Sequence, residues 1–211
     1  MRQRNVKNKK EIINSSRYII LNPKDYKGNW YKVFSNQNPI YIEIGMGKGD
    51  FIKENAKAYP NINFIGIEKF DSIMALAIKK IDMEELPNLK LIRMDALEIL
   101  DVFDHEIDKL FLNFSDPWPK PRHAKRRLTS EVFLEKYDNI FKNDKVIEMK
   151  TDNQSLFEYS LISMVNYGYK IDNLSLDLHH SDTQNNIETE YERKFSALNN
   201  PIYYVKVVKL R

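Results

Sequence analysis

The sequence predicts an α/β fold: a mostly parallel seven-stranded sheet with an antiparallel edge and helices on both faces. Three observations predict it. Short apolar runs alternate with helix-period segments of about 10–15 residues, the pattern of right-handed βαβ units. The first four runs are short and sharply ended, the first by glycines and the next three at Glu68, Asp95 and the Asp116 stretch. The last two runs have no clear helix between them, which suggests an antiparallel pair at one edge.

Taken in order, residues 1–20 read as a basic N-terminal arm, polar and mobile, with Arg2, Arg4, Lys7, Lys9 and Lys10. A single domain over 21–211 follows. Residues 21–38, with Pro23, Gly28 and several Asn, suggest a loop-rich approach. Ile40–Ile44 is the first expected strand, stopped by glycines, and 50–59 places Ile52, Ala56 and Tyr59 at helical spacing. Asn63–Ile67 is the second strand. Residues 71–81 read as a helix with Ile73, Ala77, Ile78 and Ile81 on one face. Leu89–Met94 is the third strand, and a short helix covers 96–103. Lys109–Phe114 is the fourth. Helix 131–141 carries Phe133, Tyr137, Ile140 and Phe141, with Ser130 as N-cap. Lys145–Met149 is the fifth strand. Helix 154–166 turns Phe157, Leu161, Met164 and Val165 inward. Tyr169–Leu178 and Ile202–Leu210 complete the sheet.

With 211 residues, one domain with a sizeable core is the default. Cysteine is absent, which excludes disulfides, thiolate nucleophiles and thiolate metal sites, and no metal is expected. No apolar run approaches the roughly 18 residues that span a bilayer, and no apolar segment follows the basic start, so neither membrane association nor a secretory signal is expected. A cytoplasmic location fits. Net charge is only +3, but basic residues cluster at 2–10 and 120–127.

In an open α/β sheet, ligands sit outside the carboxyl ends of the strands. There the first strand leads into Glu43-Ile-Gly45-Met-Gly47-Lys-Gly49. A glycine turn lets backbone approach a ligand closely, and its G-x-G-x-G spacing is not the dinucleotide G-x-G-x-x-G. Acids then recur: Glu43 before the turn, Glu68 after the second strand, Asp95 after the third and Asp116 after the fourth. Such a rim repels a pyrophosphate. It suits a ligand with a cationic centre and hydroxyls, and S-adenosylmethionine has a sulfonium, an ammonium and a ribose diol. Glu68 suits the diol, Asp95 the adenine amine, and Glu43 or Asp116 the ammonium.

The stretch from Leu110 to Arg127 joins this rim to the basic cluster. An apolar run ends on Asp116, two prolines flank Trp118, and no acid occurs from there to Thr129. Lys120, Arg122, Lys125, Arg126 and Arg127 would neutralise phosphates. His123, His179 and His180 read as surface or phosphate-contacting groups. Trp118 either stacks on a base or packs in the core.

Together, Glu43-Ile-Gly-Met-Gly-Lys-Gly49, Gly66-Ile-Glu68, Asp116-Pro-Trp-Pro-Lys120, Lys150-Thr-Asp152 and Thr189-Glu-Tyr-Glu-Arg-Lys-Phe195 resemble the bacterial tRNA (guanine-N-7-)-methyltransferases. The first motif is common to many methyltransferases. The Asp-Pro-Trp-Pro-Lys motif with its basic run, and the late Thr-x-Tyr-Glu-x-Lys-Phe, are far more specific. The resemblance implies the Rossmann-like class I methyltransferase fold and methyl transfer from S-adenosylmethionine to N-7 of the guanosine at tRNA position 46, in the variable loop. It implies that Glu43, Gly45, Gly47, Gly49, Glu68, Asp95 and Asp116 bind the cofactor, with Asp116 also catalytic. Lys120, Asp152, Thr189, Glu190, Tyr191 and Glu192 would bind substrate, and Arg122, His123, Ala124, Lys125, Arg126 and Arg127 would contact RNA. Partners are tRNA and no membrane, with the protein a monomer or homodimer.

Guanine N-7 carries a lone pair and no proton, so no strong general base is needed. The expected work is positioning and offsetting the charge that the base gains. The competing expectations are an exocyclic-amine methyltransferase, a nicotinamide-dependent oxidoreductase and a non-enzymatic RNA-binding module. The first places its aromatic one residue later. The second is disfavoured by glycine spacing and the acidic rim, and the third leaves both of those features unexplained.

Overall fold

The computed structural model describes residues 6–181, 186–196, 198 and 200–210. Five parallel strands form its centre: β1 (Ile40–Ile44), β2 (Asn63–Glu68), β3 (Leu89–Arg93), β4 (Lys109–Asn113) and β5 (Lys145–Thr151). Two more complete the sheet, β6 (Lys170–Ser175) and β7 (Tyr203–Lys209), in the order β3-β2-β1-β4-β5-β7-β6. The helices are α1 (Lys9–Ser15), α2 (Trp30–Phe34), α3 (Asp50–Ala58), α4 (Asp71–Ile81), α5 (Ile99–Val102), α6 (Glu131–Asp138), α7 (Gln154–Asn166) and α8 (Glu190–Ser196).

The central strands are mostly apolar because both faces of the sheet are covered. In β4, Leu110 and Leu112 enter a core built against Trp30, Phe133, Tyr137 and Phe157. Phe111 between them faces the opposite core, with Phe51, Ile52, Met74 and Ile78. Alternation thus divides one continuous apolar run between two helical layers. Each fully buried Ile or Leu contributes about 1.5–3 kcal/mol relative to its exposed state.

The antiparallel edge has a specific form. β7 pairs antiparallel with both β5 and β6, so the later strand is internal and β6 is the outer one. A helix does lie between them in sequence: α8, which the sequence pattern did not suggest. Val165, expected inward on α7, is 45% exposed, while Phe157 and Met164 are buried. Tyr59, read at helical spacing with Ile52 and Ala56, falls one residue past α3 and is exposed. Ser130 sits at the α6 N-cap, but its hydroxyl donates to the Lys125 carbonyl instead of capping the helix.

The segment expected as a mobile arm is docked from Lys9 onward. Helix α1 places Ile13 in the core beside α4. Ser16 donates to Asp82 at 2.7 Å. The Tyr18 hydroxyl donates to the Glu84 carbonyl and accepts from the Leu86 amide. Ile20 and Leu91 amides donate to Leu91 and Tyr18 carbonyls, so residues 18–20 line the outer edge of β3. Residues 1–5 lie outside the described part. No helix among the described residues is long and apolar enough to cross a membrane.

Candidate active site

The carboxyl ends of β1, β2, β3 and β4 open onto two adjoining cavities, of about 780 and 270 Å³. The larger is lined by Glu68, Lys69, Phe70, Met94, Asp95, Asp116, Trp118, Lys125 and Arg126. The smaller is lined by Glu43, Lys48, Gly49, Asp50, Phe51 and Asn113 on one side and by Thr189, Glu190, Tyr191 and Lys194 on the other. Gly45, Gly47, Ile73 and Phe114 line both. The four expected acids therefore do converge, three on the larger cavity and Glu43 on the smaller.

Between β1 and α3 the chain turns through three residues of positive φ, Gly45 (77°), Gly47 (58°) and Gly49 (76°). A Cβ on Gly45 would meet nothing within 4 Å, so its requirement is conformational and leaves open space beside the cavity. A Cβ on Gly49 would sit 2.9 Å from Ile81 Cδ1, so there the glycine also permits close packing on α4. Gly45 and Met46 amides both donate to the Ile67 carbonyl, tying the turn to β2.

Glu68 is held by the chain itself. Its carboxylate accepts from the Gly47 amide at 3.2 Å and the Phe70 amide at 2.9 Å. Burial raises its pKa, and those backbone donors oppose the rise. Asp95 accepts from the Leu97 amide at 3.0 Å and pairs with Lys69. Burial pushes its pKa up, but the hydrogen bonds and charge supplied by Lys69 and Leu97 prevail, so the net shift is downward.

Glu43 is 1% exposed. Burial raises its carboxyl to about 7, with the Asn113 hydrogen bond and the Lys150 charge acting the other way. One oxygen accepts from the Asn113 side chain at 2.9 Å, and the other has no partner. A buried acceptor left open at a cavity wall is costly unless a ligand uses it.

Asp116 is exposed, and among the described residues its carboxylate has no hydrogen-bonding or ionic partner. Its loop is stiff. Phe114 and Trp118 both adopt positive φ, at 49° and 42°. Arg127 braces the turn, donating to the carbonyls of Pro117 at 3.0 Å and Trp118 at 3.1 Å while lying 4.2 Å over the Tyr159 ring. Expected as an RNA contact, Arg127 thus turns inward and holds the loop. Arg126 stacks 4.9 Å over Trp118 and His123 meets that ring edge-on, so the indole is neither core nor bare. Residues 121–126 form a single 3-10 segment. Lys120, Arg122, His123 and Ala124 line neither cavity, whereas Lys125 and Arg126 reach the larger one.

The Thr189–Glu192 segment serves α8 first. The Glu192 amide donates to the Thr189 hydroxyl at 2.8 Å, and the Thr189 amide donates back to the Glu192 carboxylate. This is a reciprocal capping box, a Thr-x-x-Glu signal for a helix start that the sequence reading passed over. Glu192, expected to bind substrate, is fully buried and pairs with Lys150 at 3.0 Å. Lys150 also donates to the Ile187 carbonyl at 2.9 Å and to Asn186, so one buried ammonium gathers the segment leading into α8. Burial lowers its pKa and Glu192 opposes the change. Glu190 pairs with Lys48 and Lys80, and its hydrogen bond to Lys48 leads in pulling its carboxyl down to about 2. Burial, and then the nearby Asp152 charge, raise the pKa of the Tyr191 hydroxyl. Tyr191 stacks on Phe195 (4.2 Å) and meets Phe114 at a tilt (4.9 Å).

Asn113 and Lys150 were missed as site residues. Each is a polar residue at or next to the carboxyl end of a central strand, and that is the signal that could have found them.

A family profile described as "Putative methyltransferase" matches residues 37–205. The chain is 54% identical to a tRNA (guanine-N(7)-)-methyltransferase of Bacillus cytotoxicus over 192 residues, 90% of this chain and 88% of that one. It is 51% identical to a tRNA (guanine-N(7)-)-methyltransferase of Geobacillus over 200 residues, 94% and 91% of the two chains. Among solved structures, the 16S rRNA (adenine(1408)-N(1))-methyltransferase of Catenulisporales acidiphilia matches with TM-score 0.63 at 13% identity, over 91% of this chain and 95% of that one. A variant of that enzyme, crystallised with the cosubstrate SAM, gives 0.59 at 11%, over 91% and 93%. Those distant likenesses show a shared class I methyltransferase fold, and the close relatives decide the rest: the chain belongs to the tRNA (guanine-N(7)-)-methyltransferase family.

Proposed function

We propose that this protein transfers the methyl group of S-adenosylmethionine to N-7 of a guanosine in tRNA, at position 46 in the variable loop as its motifs imply. The observation that carries the reading is the pair of cavities meeting at the glycine turn. One has a buried carboxylate with an unpartnered oxygen, and the other has two carboxylates oriented by backbone amides. The ammonium of S-adenosylmethionine suits the unpartnered carboxylate oxygen of Glu43. Its ribose diol fits Glu68, whose backbone donors fix the carboxylate while leaving lone pairs to accept. Asp95, held by the Leu97 amide, suits the adenine amine.

When bound, the cosubstrate supplies an electrophilic methyl on sulfur, and the sulfur keeps the electron pair as the methyl leaves. Guanine N-7 has a free lone pair and releases no proton, so Asp116 need not act as a base. Exposed and unpartnered on the cavity wall, it is free to accept from the guanine ring amide and amine. It also offsets the positive charge gained by the purine. Tyr191, on the wall of the smaller cavity, and Asp152, whose charge acts on its hydroxyl, would form a second edge for the base. Lys120, Arg122, His123, Lys125 and Arg126 lie along a surface suited to the RNA backbone, with Ala124 allowing close approach.

Incubating the protein with methyl-labelled S-adenosylmethionine and unmodified tRNA, then mapping the label, tests this directly. Label on N-7 of a variable-loop guanosine is expected. Label on an exocyclic amine would replace the reading with the competing one, and absence of label would remove it.

A further inference from the structure

Phe114 occupies a place that the reaction above does not yet use. Among the described residues it is the one aromatic side chain that lines both cavities. Its backbone is left-handed, φ 49°, an outlier for a bulky residue. The position is nonetheless fixed: its amide donates to the Lys150 carbonyl at 2.8 Å, continuing the β4–β5 ladder. Its ring packs against Tyr191, backed in turn by Phe195, and against the small apolar cluster of Leu178, Ile202 and Tyr204. Strain of this kind persists only where the surroundings over-determine it.

A ligand spanning the two cavities must put its middle at the residues they share: Gly45, Gly47, Ile73 and Phe114. In S-adenosylmethionine the atom between the adenosyl half and the amino-acid half is the sulfonium. During transfer the carbon–sulfur bond breaks and a carbon–nitrogen bond forms. The sulfur becomes a neutral thioether, and the positive charge passes to the purine a few ångströms away. An aromatic face attracts a cation without binding it covalently and without a proton to lose. Neither Gly45, Gly47 nor Ile73 offers this.

We propose that Phe114 is the cation-facing wall of the transfer point, serving the sulfonium before the methyl moves and the methylated purine afterwards. This rests on the reading under Proposed function. It predicts that the protein discriminates S-adenosylmethionine from its neutral product, S-adenosylhomocysteine, partly through this ring.

The test replaces Phe114 with 4-fluoro-, 3,5-difluoro- and pentafluorophenylalanine, which keep its shape while progressively weakening the face. Binding of both ligands is measured by calorimetry, without RNA. Affinity for S-adenosylmethionine should fall stepwise while affinity for S-adenosylhomocysteine holds. Their ratio should drop by roughly three- to thirtyfold across the series. Phe114→Leu, which keeps an apolar side chain, should match the low end, and its kcat should fall more than its KM for tRNA rises. A ratio that stays constant, including one in which both affinities fall together, overturns the inference and leaves Phe114 as packing. Wild-type protein that binds neither ligand overturns the proposed function as well.

Discussion

The two walls of the larger cavity are built on opposite plans. On one wall, Glu68 and Asp95 leave strand ends and are fixed by amides of Gly47, Phe70 and Leu97. On the other, Asp116, Lys125 and Arg126 sit on a stiff loop, yet their charged tips have no ionic partner among the described residues. The first wall is finished before any ligand arrives, so it orients a small molecule with little reorganisation. The second keeps its charge open, and only a partner from outside can neutralise it. Preorganisation for a small cosubstrate and open charge for a polyanion are thus separated across one cavity.

The largest expected effect lies behind both walls, at the buried ion pair between Lys150 of β5 and Glu192 of α8. Lys150→Met leaves Glu192 buried and uncompensated, and should cost about 3–5 kcal/mol of unfolding free energy, read by urea denaturation. A loss under about 1 kcal/mol would mean that α8 is not anchored there. Next comes Asp116→Ala on the open side. It should leave unfolding unchanged and lower kcat by about 10²–10³-fold. Normal turnover would end its assignment. Glu68→Ala should weaken S-adenosylmethionine binding by roughly 10- to 100-fold, the worth of hydrogen bonds to a charged group, with little effect on tRNA affinity.

Salt dependence sharpens the contrast within the basic loop. Lys125→Ala with Arg126→Ala should flatten the plot of log affinity for tRNA against log salt by about 2 units at most. Arg127→Ala should instead loosen the Asp116 loop and lower thermal stability, because its donors already serve Pro117 and Trp118. If Arg127→Ala changed the salt slope alone, its inward role would be wrong.

The smallest effect concerns pH. Glu43 is raised to about 7 by burial, whereas its ordinary value is 4.5. Between those values the folded protein holds a proton that the unfolded chain has released. Stability therefore declines as pH rises through that window and is level above it. Glu43→Gln should remove about 1–2 kcal/mol of that decline, measured by denaturation at pH 5 and pH 8. Cosubstrate binding, which favours the ionised carboxylate, should release a proton near pH 6, detectable by calorimetry in buffers of different ionisation enthalpy.

The five parallel strands were legible because each is a short apolar run closed by a polar residue, and helix α4 because its period is clear over 71–81. Sheet order at the edge was not. β6 and β7 read as neighbours, and nothing in local pattern says that β7 would insert beside β5. The acids at four strand ends were legible by position alone. Their division between cavities was not, since it depends on α8 folding over the glycine turn. Arg126 and Arg127 are adjacent identical residues, one stacked at the cavity and one bracing the loop. Composition cannot separate them, because the difference lies in which carbonyls the Pro117–Pro119 turn presents.

The internal position of β7 bears on how the chain is made. A ribosome delivers β1 to β5 in an order that lets each strand dock beside an earlier one. It then delivers β6, whose place in the sheet exists only once β7 has paired with β5. Until residues 203–209 emerge, β6 has no partner, with Ile171 and Leu174 on an open strand. The nascent protein therefore passes through a stage in which most of the sheet is assembled and one strand waits, the species most prone to pair with the wrong neighbour.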